Sequence, residues 1–408
     1  MSPSILLNGN VPNDNFLPTA GNPPIKAISA TRTTLDLPSL LTRLSSSYTN
    51  PSLTVFSQRL NLRSTPIPTP CPTQALIHVR CTGICGSDLH LWHRGAIGPL
   101  RITSPCILGH EAAGEVLAVG AAVKNLEPGD RVAIEPGVPC GECWLCYQGR
   151  YNLCESVKFA GVADCDGSIR RFMVHEAKYC HKIPDSMTFR TAALLEPLAV
   201  VMHAISMCAG KLALGRPALV CGAGPIGLIA LKAARASGAW PLVITDVDEA
   251  RLDFATRFVS GVRPWLIQGD SALENSDGLR KLFGYKDEYL APQVVLECTG
   301  VESSVATAAY ACRRGGTVVV VGVGKSKMDN LPFMHLSLGE IDLKFINRYK
   351  DMWPAAINLL GDGRIMDLDG LVTHQFELER AIEAMETCAD RTSGSIKVQI
   401  VDDEKIQI

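Results

Sequence analysis

Long hydrophobic runs are missing from this chain. The most apolar stretches, such as TVVVVGVG from Thr317 to Gly324, are broken by glycine within a few residues and are far too short to span a bilayer. Net charge is missing too. Forty-one acids nearly cancel thirty-nine bases, for a formal net charge of -2, so no basic footprint for nucleic acid or an anionic membrane is present. The start, MSPSILLNGNVPNDNF, has no basic segment ahead of an apolar one, and no secretory signal is read there. A soluble, cytoplasmic protein with small-molecule partners is expected. In such a compartment the fifteen cysteines are thiols and metal ligands rather than a disulfide frame.

Charge and periodicity are scarce in residues 1–50, which are rich in Ser, Thr, Asn and Pro, and this extension is expected to be mostly disordered. Its hydroxyl content, Arg32 and Arg43 also fit an organelle transit peptide, although a dispensable start is the simpler reading. The remainder is too long for one hydrophobic core. Residues 51–196 carry short alternating stretches (QALIHVR, GEVLAVG) between Gly and Pro turns, as in an antiparallel β barrel. Residues 197–348 alternate apolar strands (PALVCG, PLVITD, QVVLECTG) with helical patterns, as in a doubly wound α/β domain. Residues 349–408 hold too little for a domain and are expected to return to the β domain.

GAGPIG places Gly222, Gly224 and Gly227 in G-x-G-x-x-G spacing between a strand and a helix, and a second strand ends in Asp246. This is the context of a dinucleotide site, with phosphates at the helix N-terminus beside Pro225 and Ile226. Asp246 would bind the adenosine ribose and repel a 2'-phosphate, which favours NAD over NADP, with Arg251 as the nearest complication. Thr299 in ECTG and Val323 in VGVG fall at later strand ends and can line the nicotinamide; plain strand-ending turns are an equal reading. PCGECWLCYQGRYNLC spaces Cys140, Cys143, Cys146 and Cys154 as C-x2-C-x2-C-x7-C, a strong tetrahedral zinc signal. A redox pair would need only two of them. Four protein ligands close such a site to substrate, so open chemistry must lie elsewhere. Candidates are Cys85 in GICGSDLH and His110 with Glu111 in LGHEAAG, each of which alone is more often core.

Taken in order, TGICGSDLHLW, ILGHEAAGEV, GDRVAIEPG, the four-cysteine loop, ALLEPL, GAGPIGL and LECTGVESS resemble the zinc-dependent medium-chain dehydrogenases, most of all their polyol branch. The likeness covers about residues 51–400. It implies an α/β protein with a GroES-like β-barrel catalytic domain and a Rossmann NAD-binding domain, two zinc ions per chain, and usually a homotetramer. It implies a catalytic zinc on Cys85, His110 and Glu111, Asp88 orienting His110, and Glu196 acting beside the metal. A proton would leave through Ser87 and His90, and hydride from a secondary hydroxyl would pass to NAD. Arg348 and Tyr349 would bind polyol oxygens, with Phe159 as an apolar wall. The complete four-cysteine set points toward the fungal-type polyol enzymes. Leu91 departs from the branch, where a larger aromatic stands, and GVADCDG at 161–167 replaces a proline-containing loop. Both changes bear on the substrate and leave room for a less polar alcohol. A non-catalytic zinc and NAD sensor is the alternative of another class; the intact ligand set argues against it.

Overall fold

Unbroken apolar runs form strands whose two faces are both covered. Six of them build one parallel sheet, in the spatial order Arg263–Leu266, Leu242–Asp246, Ala218–Cys221, Val294–Glu297, Thr317–Val320 and Asp342–Phe345. Numbered along the chain this is 3-2-1-4-5-6, the doubly wound Rossmann order. Helices Pro225–Ala236 and Glu249–Phe258 pack on one face, and Ala272–Phe283 and Glu302–Ala311 on the other. The register sets Cys221 beside Thr245 and Glu297, so the strands end along one edge. The order reverses between Ala218–Cys221 and Val294–Glu297, which opens a crevice at that edge.

The alternating segments form a second, mostly antiparallel sheet. Its central strand, Gln74–Gly83, pairs with Glu111–Val119, Phe172–Glu176 and Lys397–Val401. Arg131–Ile134 and Cys180–Lys182 extend it one way and Val372–Glu377 the other. The last strands of the chain therefore lie against the first ones, and Lys397 comes next to residues from the 80s and 110s.

The computed structural model describes residues 36–406 other than 270, 285, 286, 362, 364 and 365. The expectations for residues 1–35 lie outside them. Three features differ from the sequence reading. Leu37–Ser47 is a helix, not a disordered tail: Leu37, Leu40, Leu41 and Leu44 recur at helical spacing, and Leu40 and Leu44 are buried against Leu76, Leu117 and Phe172. Helix Leu195–Ser206 runs straight through the expected boundary at 196/197. Helix Trp353–Leu360, placed by sequence in the returning segment, shares a core with Leu195–Ser206 and the Rossmann helices, so the return to the β sheet starts with Val372–Glu377. The stretch Phe189–Ser206 is long and apolar enough to cross a membrane by composition, but most of it is buried in that same core.

Candidate active site

The four cysteines at 140, 143, 146 and 154 converge. Their sulfurs lie 3.4 Å (Cys143 to Cys146), 3.6 Å (Cys154 to Cys140) and 3.9 Å (Cys140 to Cys146) apart. A disulfide would need about 2.05 Å, whereas four sulfurs at about 2.3 Å from one tetrahedral zinc stand about 3.8 Å from each other. Backbone N–H groups of Cys140 and Cys143 donate to the sulfurs of Cys154 and Cys140 at 3.4 and 3.3 Å. Such bonds favour thiolates, and those from residues 142 and 143 bring the Cys140 thiol down to about 7. The donor set fits zinc. Among the described residues this is the one group of three or more candidate ligand atoms all within 4.8 Å of one another.

The second group is assembled from three distant segments. Cys85 caps helix Gly86–Arg94, and Asp88, in its first turn, reaches back to accept from the Cys85 N–H at 2.9 Å. The other oxygen of Asp88 accepts from the Gly109 N–H at 3.1 Å, so one fully buried carboxylate ties the Cys85 turn to the His110 turn. His110 Nδ1 lies 3.7 Å from Asp88 and has no hydrogen-bond partner, while Nε2 is 3.2 Å from Ser87 Oγ. Burial pulls the His110 imidazole down, but Asp88, Cys85 and Glu196 outweigh it and push it up to about 10. Glu196 is buried on the first turn of its helix, and desolvation, with Glu111 adding to it, raises its carboxyl to about 7. A half-buried thiol, a buried imidazole and the buried carboxylates of Asp88, Glu111 and Glu196 lie close enough to perturb one another's charge, and zinc accepts these ligand types.

The Glu111 carboxylate, expected from the sequence as a zinc ligand, is bonded to a lysine. Both its oxygens take hydrogen bonds from the Lys397 ammonium, at 2.8 and 2.7 Å, and Lys397 also donates to the Ile84 carbonyl at 3.0 Å. The pair is almost wholly buried, at 2% and 1% exposure. A buried carboxylate demands a counter-charge, and among the described residues Lys397 is the cation bonded to it. Sequence reasoning missed Lys397; its signal was a lysine inside the apolar strand SIKVQIV.

At the Rossmann edge, Gly222 has φ 100 and a Cβ there would lie 2.8 Å from Thr299; at Gly227 a Cβ would meet the Gly222 carbonyl at 1.8 Å. Only glycine allows that turn and that approach. Gly224 caps helix Pro225–Ala236, with Pro225 preset at its first position, and Gly224, Pro225 and Ile226 stay partly exposed at the phosphate-binding lip. Asp246 accepts from the N–H groups of Ala223 at 2.6 Å and Asp248 at 3.0 Å. Arg251 has its Nε 4.0 Å from Asp248 and its guanidinium 3.7 Å from where a Gly224 Cβ would be. Thr299 hydrogen-bonds the buried Glu297, whose carboxylate also accepts from Gly300 and Ser304. Thr299 and the exposed Val323 border a groove of about 990 Å³. His90, Arg94, Lys325 and Arg391 line the same groove, whereas Gly224 and Asp246 are not among its described lining residues. Partial burial, then Arg94 and His93, hold the His90 imidazole below its ordinary value, so it is neutral and free to accept a proton.

The expected substrate residues divide. The Arg348 guanidinium lies 3.9 Å from the centre of the Phe159 ring, and that ring is 5.5 Å from His110. Tyr349 is buried with its hydroxyl unpaired; burial and the charge of Glu196 push the phenol well above its usual value. Leu91 requires a correction. It has no exposed surface and packs with Ile84, Leu108 and Phe159, because positions 88 and 91 form the inward face of their helix. It supports the pocket from behind rather than forming its wall.

Comparison with known proteins gives the class. Residues 71–185 match the alcohol dehydrogenase GroES-like domain and residues 225–362 the zinc-binding dehydrogenase family. The chain belongs to the zinc-dependent medium-chain dehydrogenases, which pair a GroES-like domain with a Rossmann domain and use a nicotinamide cofactor. Within them it is a polyol dehydrogenase. It is 51% identical to L-arabinitol 4-dehydrogenase of Aspergillus niger over 338 residues, 82% of this chain and 86% of that protein. It is 44% identical to sorbitol dehydrogenase of Macaca fascicularis over 80% of this chain and 89% of that one. A Sinorhizobium meliloti 1021 dehydrogenase solved with NADP bound superposes with a TM-score of 0.77 at 25% identity, covering 87% and 99% of the two chains.

Proposed function

We propose that this polyol dehydrogenase oxidises the secondary hydroxyl of L-arabinitol or a close polyol to a ketose, with NAD as the hydride acceptor and two zinc ions per chain. The observation that carries the substrate reading is the grouping of Arg348, Tyr349 and Glu196 beside His110, against the apolar face of Phe159. A guanidinium and a phenol offer donors to several hydroxyls, and a site built of such donors rejects substrates that leave them unpaired. Cys85, His110 and Glu111 would hold the catalytic zinc, with Lys397 sharing the Glu111 carboxylate. Bound there, zinc supplies a Lewis acid that favours the deprotonated form of an alcohol near neutral pH.

The chain's own residues do the rest. Asp88 fixes the Cys85 and His110 turns relative to each other. Ser87, whose hydroxyl lies 3.2 Å from His110 Nε2 and so beside the nitrogen that would hold the metal, takes the proton from the substrate hydroxyl and relays it to His90 at the groove. Glu196, with its carboxyl near neutrality in acidity, holds water or a substrate hydroxyl by hydrogen bonding. Phe159 and the buried Leu91 keep the pocket dry on one side. The Asp246 carboxylate favours NAD, since a 2'-phosphate placed beside it would meet like charge, and the neighbouring Val247 is apolar and exposed.

A homotetrameric, cytoplasmic enzyme belongs to the same proposal. The strand Asp342–Phe345 ends its sheet and exposes Phe345, and Leu338, Phe333 and Met334 are exposed in the helix just before it. An edge of that kind suits a second copy of the chain, and light scattering reads the assembly. The cysteines are free thiols, which suits a reducing compartment. The reading as an enzyme for less polar alcohols loses its motive, because Leu91 is not at the pocket surface. Initial rates on L-arabinitol, xylitol, sorbitol and a simple secondary alcohol, each with NAD and NADP, test the proposal. Fast turnover of L-arabinitol with NAD is expected; turnover of the simple alcohol alone would overturn it.

A further inference from the structure

The segment that carries Arg348 and Tyr349 is held in an unfavourable shape. Arg348 has φ 55 and Asp351 φ 54, left-handed conformations that side-chain-bearing residues adopt only where their surroundings impose them. The surroundings here come from the turn Tyr151–Leu153, which closes the four-cysteine loop immediately before Cys154. Asn152 Nδ2 donates to the Asn347 carbonyl at 2.8 Å, and Asn347 Nδ2 donates back to the Asn152 carbonyl at 3.4 Å. At the other end of the segment, the Asp351 N–H donates to the Tyr151 hydroxyl at 2.7 Å. The two residues thus grip both flanks of Arg348 and Tyr349.

Tyr151 is itself anchored. Its hydroxyl donates to Glu135 Oε1 at 2.9 Å, and the buried Glu135 takes a second bond from His181 Nε2 at 2.8 Å. The His181 ring stacks on Trp353 at 5.2 Å, two residues beyond Asp351. On the loop side, the Cys154 N–H donates to the Tyr151 carbonyl at 3.1 Å, and the Arg150 N–H to that of Leu145 at 2.8 Å, so the turn is continuous with the sulfur cluster.

We propose that Tyr151 and Asn152 are positioning residues for the substrate: they hold Arg348 and Tyr349 in the conformation that receives a polyol, and the four-cysteine loop thereby serves specificity as well as stability. The inference rests on the reading of Arg348 and Tyr349 as polyol contacts. It gives the loop a second role without giving it chemistry.

Tyr151→Phe removes one oxygen and two hydrogen bonds while keeping the ring. A net hydrogen bond corresponds to roughly a fivefold change in an equilibrium constant, so losing two should raise the polyol KM by roughly five- to twenty-fivefold. The values of kcat, KM for NAD and KM for a simple secondary alcohol should stay within about twofold. In a Tyr349→Phe background the same change should add less than it does in the wild type, because only the Arg348 contact remains to be disturbed. An unchanged polyol KM, an equal rise for both kinds of alcohol, or full additivity overturns the inference. Amide hydrogen exchange reads the grip without turnover: in Tyr151→Phe the Asp351 amide should exchange about tenfold faster, with the Cys140–Cys146 amides unchanged. Unchanged Asp351 exchange sinks the inference even if no polyol is turned over, whereas missing polyol turnover in the wild type with faster exchange in the variant sinks the substrate reading alone. Asn152→Ala, read in the same two ways at Asn347 to Asp351, serves if Tyr151→Phe fails to accumulate.

Discussion

Tyr349→Phe separates a hydroxyl kept for substrate from one kept for folding. Tyr349 is only 3% exposed, its ring meets Trp353 edge-on at 6.0 Å, and its hydroxyl lies by the Glu196 carboxylate without a hydrogen bond of ordinary geometry. Glu196 is near enough for their charges to interact, and together with burial it keeps the phenol protonated throughout the assay range. An unpaired buried hydroxyl costs about 1–3 kcal/mol in desolvation. Deleting it relieves that cost and leaves a gap the size of one oxygen, so stability should hold or rise by up to about 1 kcal/mol. Substrate binding loses a hydrogen bond of about 0.5–1.5 kcal/mol, which is about a two- to thirteenfold rise in polyol KM. The assay pairs urea unfolding at fixed protein and zinc concentration with initial rates on L-arabinitol and a simple secondary alcohol. A stability loss above about 1 kcal/mol with an unchanged polyol KM would refute the reasoning, because the hydroxyl would then be part of the fold.

Two further outcomes test other parts of the structure. Asp402 is buried between Arg171, at 2.7 Å, and His78, at 3.2 Å; burial raises its carboxyl, but these two partners outweigh it and bring it from 3.8 down to about 2. A depressed carboxylate stabilises the fold above its unfolded value and loses that contribution as pH falls toward the folded one, so Asp402→Asn should cost about 2–3 kcal/mol at pH 7. The difference from wild type should shrink between about pH 4 and pH 2, and a pH-independent difference in urea unfolding would contradict the assignment. For the metals, the wild type should hold about two zincs per chain and Cys85→Ser and Cys154→Ser about one each. Elemental analysis with thermal melting should show Cys154→Ser melting lower and Cys85→Ser losing activity with little change in melting; two zincs retained in Cys85→Ser would remove that cysteine from the metal site.

The fold was most legible where a pattern is local and repeated. The parallel strands announced themselves as unbroken apolar runs, and GAGPIG with Asp246 carried its own context of strand, helix and strand. The helix Leu37–Ser47 was equally local, with leucines at i, i+3, i+4 and i+7, but its Ser- and Thr-rich flanks masked the period. The tail was harder. Whether Trp353–Leu360 belongs with one core or the other depends on which surface its apolar face meets, and nothing in eight residues of amphipathic helix specifies that partner. Leu91 failed for a related reason: its place in a motif named the neighbourhood, while its direction depended on the rotation of a two-turn helix.

The contrast between the two cysteine-bearing sites follows from the same distinction. The four-sulfur cluster is written within fifteen residues of loop, so it is easily read, and a zinc held by all four sulfurs would have no position left for substrate. The reactive group draws on residues 85, 110, 111 and 196, and its Glu111 is held by Lys397, 286 positions away in the chain. That pairing exists only because the final strand lies against Gln74–Gly83, which in turn pairs with the strand that begins at Glu111. A buried ammonium on this buried carboxylate balances charge that would otherwise destabilise the fold. The same logic applies to Tyr151 and Asp351, 200 positions apart: the residues that tune the chemistry are those that only the finished fold brings together.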